Sequence, residues 1–500
     1  MRIIAGLFLS GLGFSASLHA EPIGEADLLR HIEILAGDAF EGRKPGTTGE
    51  NKAVHYIASQ WLAAGLKPAG DQGSWYAPVS LVERIPESSQ IYFSDSSRGR
   101  NIRLREDEIV LRSGDPSFRQ SRIAVVFAGY ADYGQGQDAL PIAGKLVLLP
   151  VEPPEGGDSG ASYRDRKLEL IRNGAVGVIG VVDDQKRWSR FRRSYQRGAT
   201  ALAGPQEHAA LEGLISLDQF SRLARKSGLD AKNLLTDQAA ISYVDLGLNA
   251  DAVAETQVRT YTSHNVIGKI AGTNPKRGAV LFMGHWDHFG ECRIEDPLTP
   301  EADRICNGAI DNASGISLLI ETAKRLSPDD HDRDVYFLAT TAEEKGLLGA
   351  RAFVRNPAVA LENLVAVFNA DTVALSDDRK MIAVIGLGQS GLDEDIEIVA
   401  AQEGREIDRS GKPDVYLRRQ DGYVFLERDI PAFMITSAFA DEVRLQAYIN
   451  GPYHDVSDEV NDDLLLGGAA TDANFHVALG RYFASTTTYP GLAPSGGADN

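Results

Sequence analysis

AVLFMGHWDHFG, Ala279 to Gly290, opens as an apolar run and changes character abruptly at His285. A greasy strand therefore ends in His, Asp, His. Side chains alternate along a strand, so His285 and Asp287 share a face while His288 lies one residue off it. Such a pair can bind a metal through one residue and support the site through the other, or it can be a satisfied polar pair at a strand end. The rest of the chain has to separate those readings.

Downstream, apolar runs near Val335–Thr340, Leu364–Phe368, Met381–Ile385 and Pro431–Thr436 alternate with helical patterns, the clearest running from Ala313 to Leu326. That βαβα order predicts an α/β domain over residues 256–485, with a mostly parallel, mixed sheet and helices on both faces. Ligands of such sheets collect beyond the carboxyl ends of the strands, where His285 sits. Upstream, residues 21–88 supply two helices of the same domain, the second opened by Thr47-Thr-Gly-Glu50 in the manner of a capping box. Between them Glu41-Gly-Arg-Lys-Pro-Gly reads as a loop. Residues 89–255 change texture to short β-type runs with one helix at Asp165–Asn173, a β-rich unit inserted into the main domain. Residues 486–500, rich in Thr, Ser, Gly and Pro, read as a flexible tail.

The first twenty residues have the form of a secretory signal: Arg2, an apolar stretch from Ile3 to Phe14, then small residues up to Ala20. Export to the periplasm or the medium after cleavage near Ala20 is the expectation. Later segments fall short of the ~18 uninterrupted apolar residues of a membrane helix, so no stable membrane insertion is expected. A net charge of −19 argues against nucleic acid as a partner of the whole surface. The exception is KRWSRFRRSYQR, Lys186 to Arg197, where six basic residues interleave with three aromatics. It can be a nucleic-acid patch, a solvated amphipathic segment or a lip that meets substrate. The two cysteines, Cys292 and Cys306, fit no zinc-site spacing; in an oxidising compartment they can pair.

Further potential ligands follow other strands. Asp311 lies in GAIDNASG at the start of a helix; Glu343 and Glu344 follow VYFLAT; Asp371 follows VAVF; Tyr453-His454-Asp455 lies in a loop. Singly, Asp311 is a helix cap and the paired glutamates are first-turn carboxylates. Together, two histidines and several acids at successive strand ends point to a catalytic zinc site, since nitrogen and carboxylate ligands without thiolates suit that metal. The side chains of adjacent glutamates diverge, so one can ligate while the other moves a proton between an attacking water and a leaving amine. The implied chemistry is hydrolysis.

The ordered motifs GHWDH, NGAIDNASG, TAEEKGLLGA, NAD and YHDVSDE resemble the zinc-dependent aminopeptidases of metallopeptidase family twenty-eight, particularly its exported bacterial branch. EGRKPGTTGE is similar to that branch's N-terminal segment, and GKLVLLP with NGAVGVIGVV to its inserted protease-associated domain. The resemblance implies two zinc ions: His285, Asp311 and Asp371 on one, Asp311, Glu344 and His454 on the other, with Asp311 bridging. It makes Glu343 the general base, Asp287 the support of His285, and Tyr453 the residue that steadies the oxyanion. It also implies a cis bond at Asp311-Asn312. One stretch departs from the pattern: Gln420-Asp421-Gly422-Tyr-Val-Phe425 stands where relatives often carry Ser-Asp-His before the Phe. His288 is read as a local hydrogen-bonding residue. The expected function is removal of N-terminal residues from peptides with a free N-terminus, the inserted unit acting as a lid. A carboxypeptidase, a mono-zinc glutaminyl cyclase and a non-catalytic receptor-like module are the alternatives, and oligomeric state is open.

Overall fold

The computed structural model describes residues 21–95, 101–130, 141–152, 162–204, 208–236, 243–292 and 303–491. The expected signal segment lies outside them. Backbone contacts divide the chain into two compact units, one built from residues up to Ala77, Asn265–Thr340 and Phe353 onwards, the other from Pro78–His264 and Thr341–Ala352.

In the first unit the strands lie in the order Glu406–Ile407, Met381–Ile385, Ala432–Thr436, Leu364–Asn369, Ala279–His285, Asp334–Thr340, then the last residues of Val244–Ile270. The four central strands run parallel, and antiparallel neighbours flank them on either side, giving the expected mixed α/β sheet. Every residue of Ala279–His285 and of Asp334–Thr340 is buried, so both faces of the sheet centre are covered. The helix Ser314–Leu326 packs with Gly467–Ala484, Glu25–Leu35 and Thr48–Ala63 into one core that also takes in Val280 and Phe282.

Register within this sheet is marked by a row of phenylalanines. Phe282 pairs with Phe337 on one side and Phe368 on the other, and Phe368 pairs with Phe433. Their ring centroids lie 5.3, 5.4 and 6.2 Å apart. A one-residue slip would turn each ring to the opposite face, so the row fixes which residues emerge at the carboxyl ends. His285 and Asp371 each follow one of these rings by three positions.

The second unit carries a parallel run of Ser117–Phe127, Leu146–Pro150, Gly177–Val182 and Leu211–Ser216, closed by antiparallel Ile109–Ser113 and the first half of Val244–Ile270. It holds more helix than the single one expected, with Gln185–Gln196 and Leu217–Lys226 added to Tyr163–Arg172. The expected limits at 88 and 256 fall inside two long continuous strands, Tyr76–Asp95 and Val244–Ile270, which the β-type texture alone could not divide.

Two local expectations are corrected, and one open reading is narrowed. Thr47 does not cap its helix through its side chain; its hydroxyl donates to the Lys44 carbonyl, and Glu50 accepts from the Gly46 amide instead. Of the readings open for the basic-aromatic stretch the amphipathic one holds: it is a helix whose Trp188, Phe191 and Tyr195 pack with Val110, Val182 and Leu214. Residues 486–491 are not loose: Thr486 bonds to Asp332, and Tyr489 is buried with its carbonyl accepting from Arg333. Residues 492–500 lie outside the described residues.

Phe282→Ala should lower unfolding stability by about 3–5 kcal/mol, because it opens a cavity in the middle of the ring row. Denaturant titration against the wild type checks this; a loss under about 1 kcal/mol would mean the row does not hold the sheet.

Candidate active site

Asp311 occupies the turn before the Ser314–Leu326 helix, and its peptide bond to Asn312 is cis, as the resemblance implied. The carboxylate is only 3 % exposed, with one oxygen toward each of two histidines. Oδ1 lies 3.2 Å from His285 Nε2 and Oδ2 lies 3.3 Å from His454 Nε2. Burial alone would raise this carboxyl, but hydrogen bonding to the two imidazoles and the nearby charge of His288 hold it well below the usual carboxylate range. Asp371 Oδ1 approaches the same His285 nitrogen to 3.5 Å. His285, Asp311 and Asp371 each offer a ligand atom within 4.8 Å of the others, a set without thiolate that fits zinc.

The support of His285 is partly main-chain. Its Nδ1 lies 3.1 Å from the Asp287 carbonyl and 3.9 Å from the Asp287 carboxylate. That contact at Nδ1 orients the ring so that Nε2 faces the two carboxylates. Asp287 itself is fully buried. His454 is held differently: its backbone has φ 61°, and the Tyr453 ring stacks on its imidazole with centroids 3.7 Å apart. His288 is also fully buried, its ring 5.9 Å from that of His454. A Cβ on Gly308 would come within 2.8 Å of the His288 ring, so the turn needs glycine there.

Three residues that the sequence did not single out organise these groups. Asn312 donates from Nδ2 to the carbonyls of His285 and Ala370, and its Oδ1 accepts from the amides of Gly315 and Thr372. One amide side chain thus ties together the segments carrying His285, Asp311 and Asp371. Asp458 accepts from the amides of Ile310 and Asp311 and from the Tyr448 hydroxyl, which fixes the turn from the side of the His454 loop. Arg43, from the EGRKPG loop, is buried and donates to the carbonyls of Leu35, Trp286, Asn307 and Gly308. A buried Asn or Arg has no distinct pattern in sequence, although Asp458 lies only four residues past His454.

Residues 265–472 match the family model described as "Peptidase family M28". The chain carries a peptidase family M28 domain. An aminopeptidase from Aneurinibacillus sp. strain AM-1 has the same fold, with a TM-score of 0.54 at 18 % identity over 93 % of this chain and 94 % of that one. The alkaline phosphatase isozyme conversion protein of Escherichia coli K12 is 25 % identical over 166 residues, 31 % of this chain and 48 % of that protein. Aminopeptidase YwaD of Bacillus subtilis is 32 % identical over 120 residues, 24 % of this chain and 23 % of that protein. The chain thus spans about half or less of the length of these curated relatives.

Within the M28 domain, Glu343 and Glu344 form a single 3₁₀ turn three and four residues past Thr340, whose strand partner is His285. The next residue back, Ala342, packs with Val79, Leu81, Leu202 and Leu348 in the second unit. Asp421, in the segment that departs from the family pattern, is buried and accepts from the Thr340 hydroxyl; neighbouring Gln420 accepts from Asn369 and Gly422. Cys292 and Cys306 are joined in a disulfide beside the paired Gly290–Glu291 and Ile305–Cys306 segments.

Asn312→Ala removes no ligand, yet it should weaken zinc retention by roughly ten- to a hundred-fold, because the three ligand segments lose their common tie. Competition with a chelator measures this, and unchanged retention would show that the tie does not position the ligands.

Proposed function

We propose that this protein is an exported di-zinc aminopeptidase that hydrolyses N-terminal residues from peptides with a free N-terminus. The observation that carries this reading is the Asp311 carboxylate, held between His285 and His454 with one oxygen for each. The matches to peptidase family M28 and to proteins named aminopeptidase support it. In this reading His285, Asp311 and Asp371 hold one ion and Asp311, Glu344 and His454 the other. Bound zinc supplies a Lewis acid that polarises the scissile carbonyl and acidifies water.

The chain's own groups then do the following. A Glu343 carboxylate oxygen takes a proton from the attacking water and returns it to the leaving amine nitrogen. The Tyr453 hydroxyl donates toward the carbonyl oxygen as negative charge gathers there. Asp287 keeps His285 in one tautomer. The second unit corresponds to the inserted protease-associated domain, and export follows cleavage near Ala20. Among the described residues no helix is long and apolar enough to cross a membrane.

Glu343→Gln should keep its zinc and lose turnover by several powers of ten, several kcal/mol of barrier. Near-normal activity would remove Glu343 from the role of base. Asp311→Ala should bind neither ion firmly by metal analysis; one firmly held zinc would refute the bridging role. A panel of free-amine and N-acetylated peptides tests the substrate class, with cleavage expected only of the free amines. Cleavage of blocked peptides would exclude an aminopeptidase.

A further inference from the structure

The sheet of the first unit has a second opening, at the amino ends of the strands that carry His285 and Asp371 at their carboxyl ends. There a cavity of about 1120 Å³ is lined by Lys276, Arg277, Arg333, Arg428 and Tyr489, with Pro431 and other apolar residues between them. Arg277 stands two residues before the Ala279–His285 strand, and Arg428 four residues before Ala432–Thr436. The turn Pro275–Arg277 is held close to its neighbour: a Cβ on Gly278 would come within 2.8 Å of the Asn363 carbonyl.

Arg333 is the informative residue. It is 1 % exposed, and its Nε and Nη1 donate to the carbonyls of Arg277, Phe483, Ser485 and Tyr489. Nη2 has no hydrogen-bond acceptor among the described residues, while the guanidinium lines the cavity. The other cations form no ion pair with the described residues either. Arg277 donates to the Pro490 carbonyl and Arg428 to the Val424 carbonyl, and none of the four forms an ion pair with a carboxylate among the described residues. Glu362 and Asp429 share the lining but do not reach ion-pair distance of these cations. Asp332, next in sequence to Arg333, is occupied by the amide and hydroxyl of Thr486.

Three exposed cations and the Arg333 guanidinium share this lining with Glu362 and Asp429, and none of the four cations is neutralised by an ion pair among the described residues. In a chain of net charge −19 such a group stands out against its surroundings. Arginine forks match the planar, multi-oxygen geometry of carboxylate and phosphate. We propose that this cavity binds a multivalent oxyanion, a dicarboxylate or a phosphate-bearing small molecule, with Arg333 Nη2 as the buried donor and Lys276 and Arg428 closing on it from the rim. The site is separate from the His285 and Asp311 cluster and does not depend on the proposed peptidase activity.

The test is calorimetric titration of the full chain with inorganic phosphate and with succinate at constant ionic strength, using acetate for comparison. Saturable binding of phosphate or succinate, stronger than acetate, is expected, and whichever binds more tightly identifies the class. The exposed pair Lys276→Ala with Arg428→Ala should weaken it by about tenfold or more, whereas Asp371→Ala should leave it unchanged. Absence of saturable binding in the wild type would overturn the proposal. So would equal affinity in the double variant, or loss of binding in Asp371→Ala, which would place the anion at the other end of the sheet.

Discussion

A buried carboxylate facing two imidazoles is the constraint on which the first unit's architecture turns. Asp311 is taken almost wholly out of water, and an anion so placed must be matched by donors or cations in good geometry or it will not stay ionised. His285 and His454 approach it from one strand end and one loop, with one imidazole nitrogen near each carboxylate oxygen. The backbone on either side has to be held as firmly. Asp458 takes the amides of Ile310 and Asp311, and the Asn312 side chain takes those of Gly315 and Thr372. Neither interaction touches a ligand atom, yet without them the carboxylate could rotate away from one imidazole at little cost.

The same logic explains why this end of the sheet tolerates so many polar groups. Parallel strands covered on both faces offer water no entry from the side, so polar residues can emerge only at the strand ends. The phenylalanine row sets how far each strand reaches before that happens, and the three-residue spacing from Phe282 to His285 and from Phe368 to Asp371 follows from it. Arg43 closes the arrangement: the carbonyls of Leu35, Trp286, Asn307 and Gly308 converge on one guanidinium, the last also accepting from the Ala313 amide.

Much of this was legible in the sequence, and the part that was not has a common cause. Strands such as Ala279–His285 and Met381–Ile385 were readable because burial on both faces writes a continuous apolar run. His285, Asp311, Asp371 and His454 were readable because a polar residue at the end of such a run, or in a small-residue turn, breaks the pattern. Asn312, Asp458 and Arg43 break nothing. Their side chains satisfy main-chain groups brought together by the tertiary fold, and no local spacing reports on that. The unit boundaries were missed for a related reason: Tyr76–Asp95 and Val244–Ile270 are each one strand, so composition does not change where the contacts do. The Thr47 reading failed because a buried Glu50 found the Gly46 amide, one residue before the Thr47 amide that a capping box would use.

The two ends of the sheet handle charge in opposite ways. At the carboxyl ends, Asp311 and Asp371 gather about the His285 imidazole with His454 beyond Asp311, an arrangement suited to added cations. At the amino ends, Arg333 spends its donors on the carbonyls of the chain's last described turns, and Tyr489 stacks near its guanidinium with 5.4 Å from cation to ring centroid. That places a positive charge at the base of the strands, held in position by neutral acceptors that do nothing to cancel it. Carbonyl oxygens fix a guanidinium's direction and carry no net charge of their own, and the nearest acidic groups are Asp332, engaged with Thr486, and the rim residues Glu362 and Asp429. A carboxylate partner there would have stabilised the fold as well and cancelled that charge. Carbonyl partners leave the guanidinium its full charge, so the sheet carries carboxylates and imidazoles at one end and a cluster of cations at the other, separated by the length of its own strands.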